Sequence, residues 1–533
     1  MQKLTSECPI CKKPHYGNLG EHIRSQHSEK EFKESVLKAK EKGIPDPEIG
    51  TLFGITFRQL EEIITEAYGI NISVLTKLRK IKYWEPKNFR EDTTTVWSFK
   101  QRGDWATHDG RYRGNWAPYI PRNVILKYSK PGDIVLDYFV GGGTTAVEAK
   151  LLGRRCIARD INPACIGLTL ENLKFSPPTT LFPFSIYEPD VSVSDARSLS
   201  HISDNSIDLI CAHPPYAGII NYSSSVEGDL SKLGVKDFLK EIKKVASESY
   251  RVLKPSGKCA ILIGDTRKHK HVIPIGFQTI NVFLEAGFKI RELVIKRQHN
   301  CKTTGFWYEK STKYNFLLLA HEYLPIFEKP ESLAPSLALR EESLDYGGVI
   351  PAFEKIPLKK IDELETTTVW LFPERDLEER LNKNVINRYS IGGKYSTINF
   401  NVNFENQASF TKEDGKKKID LLFIKATFLN NNPLKPNIEH YLEEIRQTVI
   451  QSLPNVNKGG FLVVQTQDVR MDGFIEPLGK RIVDLIVSDN LWLKEIVVVA
   501  QEEQKTDNEI KEVEKDNNLK ITHQYLLIYE VVK

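Results

Sequence analysis

The sequence lacks a long apolar run and an apolar N-terminal segment. None of its 533 residues fall in a stretch near the ~18 apolar residues of a membrane-spanning helix, and the opening MQKLTSECPI does not resemble a signal peptide. Seven cysteines, an odd number and mostly scattered singly, argue against a disulfide framework. These absences predict a cytoplasmic protein with no membrane partner.

A strong overall charge is also absent, since the net charge is only +4. The charge is uneven, however: residues 100–130 and residues 289–313 each carry 7 Lys/Arg against 2 Asp/Glu. Such local excesses suit a polyanionic partner. Solvated surface lysines would give the same counts, so charge alone leaves both interpretations open.

The N-terminus carries four metal-ligating residues at a regular spacing. Cys8 and Cys11 are separated by two residues, and His22 and His27 by four. Thiolates and imidazoles in this order are the ligands of a tetrahedral structural zinc site. The segment resembles a two-Cys, two-His zinc finger with a gap of ten residues between the pairs; chance cysteines in a polar N-terminus are the alternative.

A helical pair is predicted next, in DPEIGTLFGITFRQLEEII (46–64). Its apolar positions and two glycines look like a helix-turn-helix whose second helix begins near Thr56. Glu61, Glu62 and Glu66 place negative charge on that second helix. A DNA-reading helix and a purely structural or dimerising pair therefore both stay open.

From about residue 120 the sequence alternates short apolar strands with helices. The predicted strands are Asp133–Asp137, Arg155–Asp160, Ile207–Ala212, Cys259–Gly264, Leu293–Lys296 and Asn315–His321, and the predicted helices are Thr144–Leu152 and Phe238–Leu253. This alternation predicts an α/β fold, a Rossmann-like and mostly parallel sheet with helices on both faces. Ligands bind such sheets at the carboxyl ends of the strands.

A glycine loop follows the first of these strands, in DYFVGGGTT (137–145). It lets backbone approach a ligand and presents N–H groups at a helix start. Asp160 ends the second strand, where a carboxylate can bind both ribose hydroxyls, and Asp195 follows the third, near an adenine amino group. No GK[ST] follows the glycines, which disfavours a phosphate-binding loop. The ligand implied is S-adenosylmethionine. The predicted cofactor-binding residues are Asp137, Phe139, Gly141, Gly143, Thr144, Thr145, Asp160, Asn162, Asp195 and Ala196.

A second loop ends the strand in DLICAHPPY (208–216). Its two prolines have no N–H to continue a ladder, so the strand stops and holds His213 and Tyr216 on a stiff loop at its tip. Residues 92–322 as a whole resemble the amino-group DNA methyltransferases, which make N4-methylcytosine or N6-methyladenine. The Phe-x-Gly-x-Gly motif of that family matches Phe139–Gly143, its acidic residue matches Asp160, and its Pro-Pro-Tyr tetrapeptide matches residues 213–216.

The resemblance implies methyl transfer to the exocyclic amine of a base flipped out of double-stranded DNA. The side chain of His213 and the carbonyl of Pro214 would accept the two N–H bonds of the amine, and Tyr216 would stack on the base. The predicted catalytic residues are His213, Pro214, Pro215 and Tyr216. The family normally has Asp, Asn or Ser in the first position; histidine accepts only when neutral and through one nitrogen. A working variant, an inactive binder and a site for another nucleophile stay open, and the non-acidic side chain favours cytosine-N4 over adenine-N6.

The C-terminal half repeats pieces of the first half. TTTVWSF (93–99) reappears as TTTVWLF (366–372), and a constant shift of 203 residues pairs Gly257 with Gly460, Asp265 with Asp468 and Arg267 with Arg470. The sequence therefore predicts a degenerate second copy of the same fold, without the glycine motif or the tetrapeptide.

Four domains are predicted: a zinc finger (1–30), a helix-turn-helix module (31–85), a catalytic methyltransferase domain (86–330) and a degenerate methyltransferase-like domain (340–533). The expected partner is double-stranded DNA; a cognate restriction or defence partner and the oligomeric state are left open. An RNA amino-group methyltransferase and a catalytically inactive DNA-binding protein are the alternative functions.

Overall fold

The computed structural model describes residues 6–8, 10–15, 19–42, 44, 46–55, 59–60, 63, 81–108, 114–178, 184–216, 226–268, 270–299, 311, 314–331, 364–390, 392–400, 418–427, 434–502 and 518–532. Among the helices within these ranges, none is both long and apolar enough to cross a membrane.

A β-hairpin and three helices make up the described N-terminal part. Their bounds are β1 (Ser6–Glu7), β2 (Pro14–His15), α1 (Leu19–Gln26), α2 (Glu29–Glu41) and α3 (Asp46–Phe53). A capping box starts α2: the Ser28 hydroxyl accepts from the Glu31 N–H, and the Glu31 carboxylate accepts from the Ser28 N–H. Both predicted N-terminal modules contribute to one apolar cluster, which includes Cys8, Ile23 and Phe53. Most of the predicted second helix after Thr56 lies outside the described residues.

The first half forms an eight-stranded sheet. In chain order its elements and the hairpin beside it are β3 (Val96–Ser98), α4 (Tyr119–Tyr128), β4 (Ile134–Asp137), α5 (Thr144–Leu151), β5 (Arg155–Asp160), α6 (Pro163–Asn172), β6 (Asp190–Val193), β7 (Ile207–Ala212), α7 (Val235–Val252), β8 (Leu253–Ile261), β9 (Thr266–Lys268), β10 (His271–Ile273), α8 (Ile275–Glu285), β11 (Lys289–Arg297) and β12 (His321–Glu328). The strand order is β3-β11-β12-β8-β7-β4-β5-β6, and only β12 runs antiparallel to its neighbours. This confirms the predicted Rossmann-like sheet.

Helices cover both faces of this sheet. Along β7, Ile210 and Ala212 pack in the cluster that contains α7 and α8, whereas Leu209 and Cys211 pack in the cluster that contains α4 and α5. A strand buried on both faces explains the continuous apolar run that predicted it. The chain passes from β4 outward to β6 and then returns to β7 on the other side of β4. Ligands bind at such a switch point, beyond the carboxyl ends of β4 and β7.

The second half forms a six-stranded sheet. In chain order its elements and the accompanying hairpin are β13 (Val369–Phe372), α9 (Leu377–Tyr389), β14 (Tyr395–Asn399), β15 (Ile419–Lys425), α10 (Lys435–Ser452), β16 (Val456–Thr466), β17 (Val469–Met471), β18 (Phe474–Glu476), α11 (Leu478–Leu485), β19 (Leu491–Gln501) and β20 (His523–Val531). The strand order is β13-β19-β20-β16-β15-β14, which matches β3-β11-β12-β8-β7-β4 one for one. Within the described residues, β5 and β6 have no counterpart, so the copy is degenerate at the edge that carries Asp160.

The two halves pack through contacts that occur twice. Arg267 donates to Glu495, and Arg470 donates to Glu292 at 2.5 Å; both carboxylates are fully buried. These four residues are exchanged by the shift of 203, as expected for a contact across a pseudo-two-fold axis. The duplicated fold therefore forms a pseudo-dimer within one chain.

One predicted strand is displaced in the structure. The sequence predicts the closing strand at Asn315–His321, but β12 begins at His321. Leu318 instead pairs with Thr367 of the second half, and Leu317 is buried in the core of that half. The apolar run before His321 is thus explained by packing between the two copies. The predicted helix that ends at Leu253 stops at Val252, and β8 begins directly after it at Leu253.

Candidate active site

The glycine loop between β4 and α5 has a left-handed backbone, which glycine adopts most readily. Gly141 and Gly143 have φ values of 52° and 87°. A Cβ on Gly142 would lie 2.6 Å from the Asn115 side chain, whose Oδ1 accepts from the Gly142 N–H at 3.3 Å. The predicted loop is therefore formed, and Thr144 and Thr145 are buried in the first turn of the helix behind it.

Asp160, at the end of β5, closes one side of this loop. Its carboxylate accepts from the Gly141 N–H at 3.0 Å and from the Asn162 N–H at 2.9 Å. Burial raises the pKa of Asp160 to about 6, against the lowering effect of these two N–H groups. A carboxylate offers about four lone-pair sites, so two of them are left for ligand hydroxyls.

The other two predicted aspartates differ in their surroundings. Asp137 is 2 % exposed and lies behind the cleft, where it accepts from the Phe139 N–H at 2.9 Å and burial raises its pKa to about 7. Asp195 lines the cleft, but both of its carboxylate oxygens accept hydrogen bonds from Arg197. Burial would raise the pKa of Asp195, yet these bonds outweigh it and lower the pKa. Asp137 thus contacts the loop backbone, and Asp195 faces the cleft while bound to Arg197.

The loop after β7 meets the glycine loop in one cleft. Eight of the predicted residues line that cleft, namely Phe139, Gly141, Asp160, Asn162, Asp195, Ala196, His213 and Pro215. Gly143, Pro214 and Tyr216 lie outside this lining in the free protein. Burial lowers the pKa of His213 to about 4, while the Glu322 carboxylate and the Gly114 carbonyl act in the opposite direction. The imidazole is therefore neutral at physiological pH, as a hydrogen-bond acceptor must be.

Sequence reasoning missed three residues that complete the cleft. Asn115 and Trp116 enter from the segment before α4, and the Trp116 ring stacks on His213 at a centroid distance of 5.7 Å. Asp229 lines the far side at the start of a 3₁₀ turn, and its charge adds to the raised pKa of Asp160. The aromatic pair in NWAPY (115–119) was the one available signal, because neither segment has strand or helix periodicity.

The four predicted zinc ligands come together in the N-terminal part. The Cys8 sulfur lies 3.6 Å from His27 Nε2, the Cys11 sulfur lies 3.5 Å from His22 Nε2, and all four ligand atoms lie within 4.8 Å of one another. Zn–S and Zn–N bonds of about 2.3 and 2.05 Å at a tetrahedral angle span about 3.6 Å between sulfur and nitrogen. The residues present fit a zinc ion.

The arrangement of a glycine loop, an acidic strand end and a Pro-Pro-Tyr loop on this sheet agrees with the comparison to known families. The model of the family described as DNA methylase matches residues 22–171 and 207–397. This chain belongs to the DNA methylase family. Its matched region covers the candidate cleft except for Asp195 and Ala196, and it continues into the second sheet.

Individual relatives match shorter stretches of this chain. A tRNA (guanine(10)-N2)-dimethyltransferase of Methanothermobacter thermautotrophicus is 35% identical over 129 residues, which cover 24% of this chain and 34% of the relative. A type II methyltransferase of Streptococcus pneumoniae is 39% identical over 70 residues, which cover 13% and 25%. The chain thus spans about a third or less of the length of these curated relatives.

A solved SAM-dependent methyltransferase from Methanosarcina mazei is similar at 18% identity and a TM-score of 0.27, over 39% of this chain and 97% of that one. At that score, the fold assignment rests on the strand order given above.

Proposed function

We propose that this chain transfers a methyl group from S-adenosylmethionine to the exocyclic amine of a base flipped out of double-stranded DNA, with cytosine-N4 slightly preferred over adenine-N6. The observation that carries the proposal is that the glycine loop and the His213 loop line one cleft. A methyl donor held by the first loop and a base held by the second would have their reacting atoms side by side. Such positioning is the main source of rate in a transfer with no covalent intermediate.

S-adenosylmethionine supplies the methyl group, carried on a sulfonium. The glycines of the loop have no side chains, so the cofactor can lie close to the loop backbone. Asp160 binds the ribose hydroxyls, and Asp195 and Ala196 lie where the adenine would fit. Neutral His213 and the Pro214 carbonyl accept the two N–H bonds of the target amine. The amine nitrogen then becomes pyramidal, and its lone pair is freed from the ring for attack.

Positive charge around the cleft supports a nucleic-acid substrate. Burial lowers the pKa of His299, and the neighbouring Arg297 and Lys100 lower it further, so these cations concentrate beside the ends of β3 and β11. Such a local field favours a phosphate backbone. Both basic segments recognised in the sequence contribute to it.

The N-terminal part supports duplex DNA as the substrate. We propose that Cys8, Cys11, His22 and His27 bind one structural zinc ion and that residues 1–85 form the two predicted modules that hold DNA. Residues 86–330 would be the catalytic domain and residues 340–533 the non-catalytic copy.

RNA is a second candidate substrate, because the relative of Methanothermobacter thermautotrophicus is named for a tRNA reaction. Purified protein is therefore incubated with tritiated S-adenosylmethionine and either duplex DNA or tRNA, and the methylated nucleosides are identified by mass spectrometry. We expect N4-methylcytosine in DNA. Label in tRNA alone would replace the DNA proposal, and label in neither would leave a binding protein.

His213→Ala is the decisive variant in this assay. It should abolish transfer without changing cofactor affinity, because His213 faces the base and not the ribose. His440→Ala, which removes an exposed histidine on α10 of the second copy, is the matched control and should transfer at the parental rate. Parental activity in His213→Ala would contradict the assignment.

A further inference from the structure

A chain of hydrogen bonds extends behind His213 that methyl transfer does not itself require. His213 Nε2 lies 3.0 Å from the Tyr216 hydroxyl oxygen, the Tyr216 hydroxyl lies 2.5 Å from Glu322 Oε1, and Lys296 Nζ lies 2.7 Å from Glu322 Oε2. Glu322 is 5 % exposed. Lys296 and Glu322 are cross-strand neighbours on β11 and β12, so the sheet itself fixes this chain.

The charge of Glu322 determines which group donates in each of these hydrogen bonds. Burial of Glu322 would raise its pKa, but Lys296 and His213 outweigh this and lower the pKa to about 2. Ionised Glu322 can only accept, so the single Tyr216 proton points to it, in the shorter and charge-assisted bond. The Tyr216 oxygen then accepts, which favours a ring proton on the His213 Nε2 that faces it; the Gly114 carbonyl is the competing acceptor for that proton.

We propose that Lys296 and Glu322 are positioning residues, which act through Tyr216 to fix His213 as the Nε2–H tautomer and leave Nδ1 as the acceptor for the target amine. A neutral imidazole accepts through one nitrogen only, and the partner of the other nitrogen decides which one. The assignment of the amine rests on the proposed function, whereas the tautomer is a property of the free protein.

The second copy shows whether the sheet needs this ion pair, since it has the same strands with other residues at the two positions. The strand register of the second sheet places Val499 at the position of Lys296, because each pairs with the tryptophan of the neighbouring edge strand. It places Gln524 at the position of Glu322, because each pairs across the next ladder with the residue just named. The copy without the glycine motif and tetrapeptide thus has valine and glutamine at these two positions. The neighbours on either side of Glu322, His321 and Tyr323, are retained there as His523 and Tyr525. The ion pair is therefore dispensable for the sheet.

Glu322→Gln reverses the direction of these hydrogen bonds with little change in side-chain shape. Lys296 has only donors, so it binds the amide oxygen and the amide NH₂ faces Tyr216. The tyrosine proton then turns to His213 Nε2, and the ring proton moves to Nδ1. The Lys296→Met/Glu322→Gln double variant frees the amide to rotate, so that its oxygen accepts from Tyr216 and the original tautomer returns. Gln524 shows that glutamine fits this strand position.

The test uses the full chain with ¹⁵N-labelled histidine and long-range ¹H–¹⁵N correlation, which distinguishes the two tautomers; His213→Ala identifies the His213 signals among those of the 12 histidines. We expect Nε2–H in the parent, Nδ1–H in Glu322→Gln and Nε2–H again in the double variant. A wrong tautomer costs up to about 10⁴-fold in rate in a serine-protease triad, so kcat should fall by at least ~10²-fold in Glu322→Gln and recover in the double variant. The KM for S-adenosylmethionine should stay unchanged in both.

An Nδ1–H ring in the parent, paired with the Gly114 carbonyl, would overturn the inference. So would a parental kcat in Glu322→Gln, or a double variant that recovers neither tautomer nor rate. If the parent transfers no methyl group to any substrate, the proposed function fails, and the NMR signals of the free protein still decide the tautomer.

Discussion

The Asp160 carboxylate allows the cofactor cleft to be tested through pH. Burial raises its pKa to about 6 in the free protein. A carboxylate accepts the ribose hydroxyls only when ionised, so affinity is present above this pKa and is lost as pH falls through it. With a pKa of about 6, the ionised fraction falls from about 0.99 at pH 8 to about 0.09 at pH 5. The Kd for S-adenosylmethionine, measured by titration calorimetry, should therefore rise about elevenfold between these pH values.

Asp160→Asn removes the charge with little change of shape. A hydrogen bond to a charged group contributes about 1.5–3 kcal/mol, so losing one bond to the ribose should raise the Kd roughly 10- to 150-fold and abolish the pH dependence. Asp190→Asn is the control, because Asp190 starts the neighbouring strand β6 and pairs with Arg159 at 2.7 Å outside the cleft lining. The reasoning is refuted by a parental Kd in Asp160→Asn, or by a flat parental Kd from pH 8 to pH 5. Two bound cofactors per chain would show that the second sheet also binds.

Three further perturbations probe other parts of the molecule. Since burial lowers the pKa of His213 to about 4, kcat at saturating cofactor should stay flat from pH 8 to pH 5, and a decline centred near the ordinary histidine value of about 6.5 would contradict the buried geometry. Arg470→Ala leaves the Glu292 carboxylate buried without its arginine, with the Leu519 N–H still donating to it, so the free energy of unfolding in denaturant should fall by roughly 3–5 kcal/mol; a loss under about 1 kcal/mol would argue against the interface. Elemental analysis should find about one zinc per chain, and chelation should unfold the N-terminal part while leaving cofactor affinity intact; protein purified without zinc would remove the metal site.

Two strands of the first sheet could be predicted to the residue. Arg155–Asp160 and Ile207–Ala212 appear as predicted, because each is a short strand that ends where a loop with candidate site residues begins. The glycine loop could be predicted as well, since Gly141 and Gly143 have φ values of 52° and 87°, which glycine adopts more readily than other residues. The local sequence is sufficient to predict an element where the local backbone conformation restricts which residues can occur.

Contacts between distant segments could not be predicted in the same way. Asn115 and Trp116 reach the cleft from an irregular segment, and Lys296 meets Glu322 only because β11 and β12 are neighbours in register. The displaced closing strand has the same cause: Leu317 is buried by the second copy, which a reading of the first half alone cannot include. The repeat was visible in the sequence, but the axis that relates its copies was not.

Strand β12 gives the second copy a physical connection to the active site. Side chains alternate along a strand, so His321 and Tyr323 lie on the side opposite to Glu322. His321 contacts Thr368 of the second half at 2.9 Å, and Tyr323 donates to Asp265 at 3.3 Å. Glu322, between them, accepts from Tyr216 in the loop after β7. The mirror contact, His523 with Thr95 at 2.8 Å, is retained although no counterpart of that loop is described beside it. The interface contact persists in both copies and the Tyr216–Glu322–Lys296 hydrogen bonds in only one, so β12 links the degenerate half, through His321, to the strand that places Glu322 behind His213.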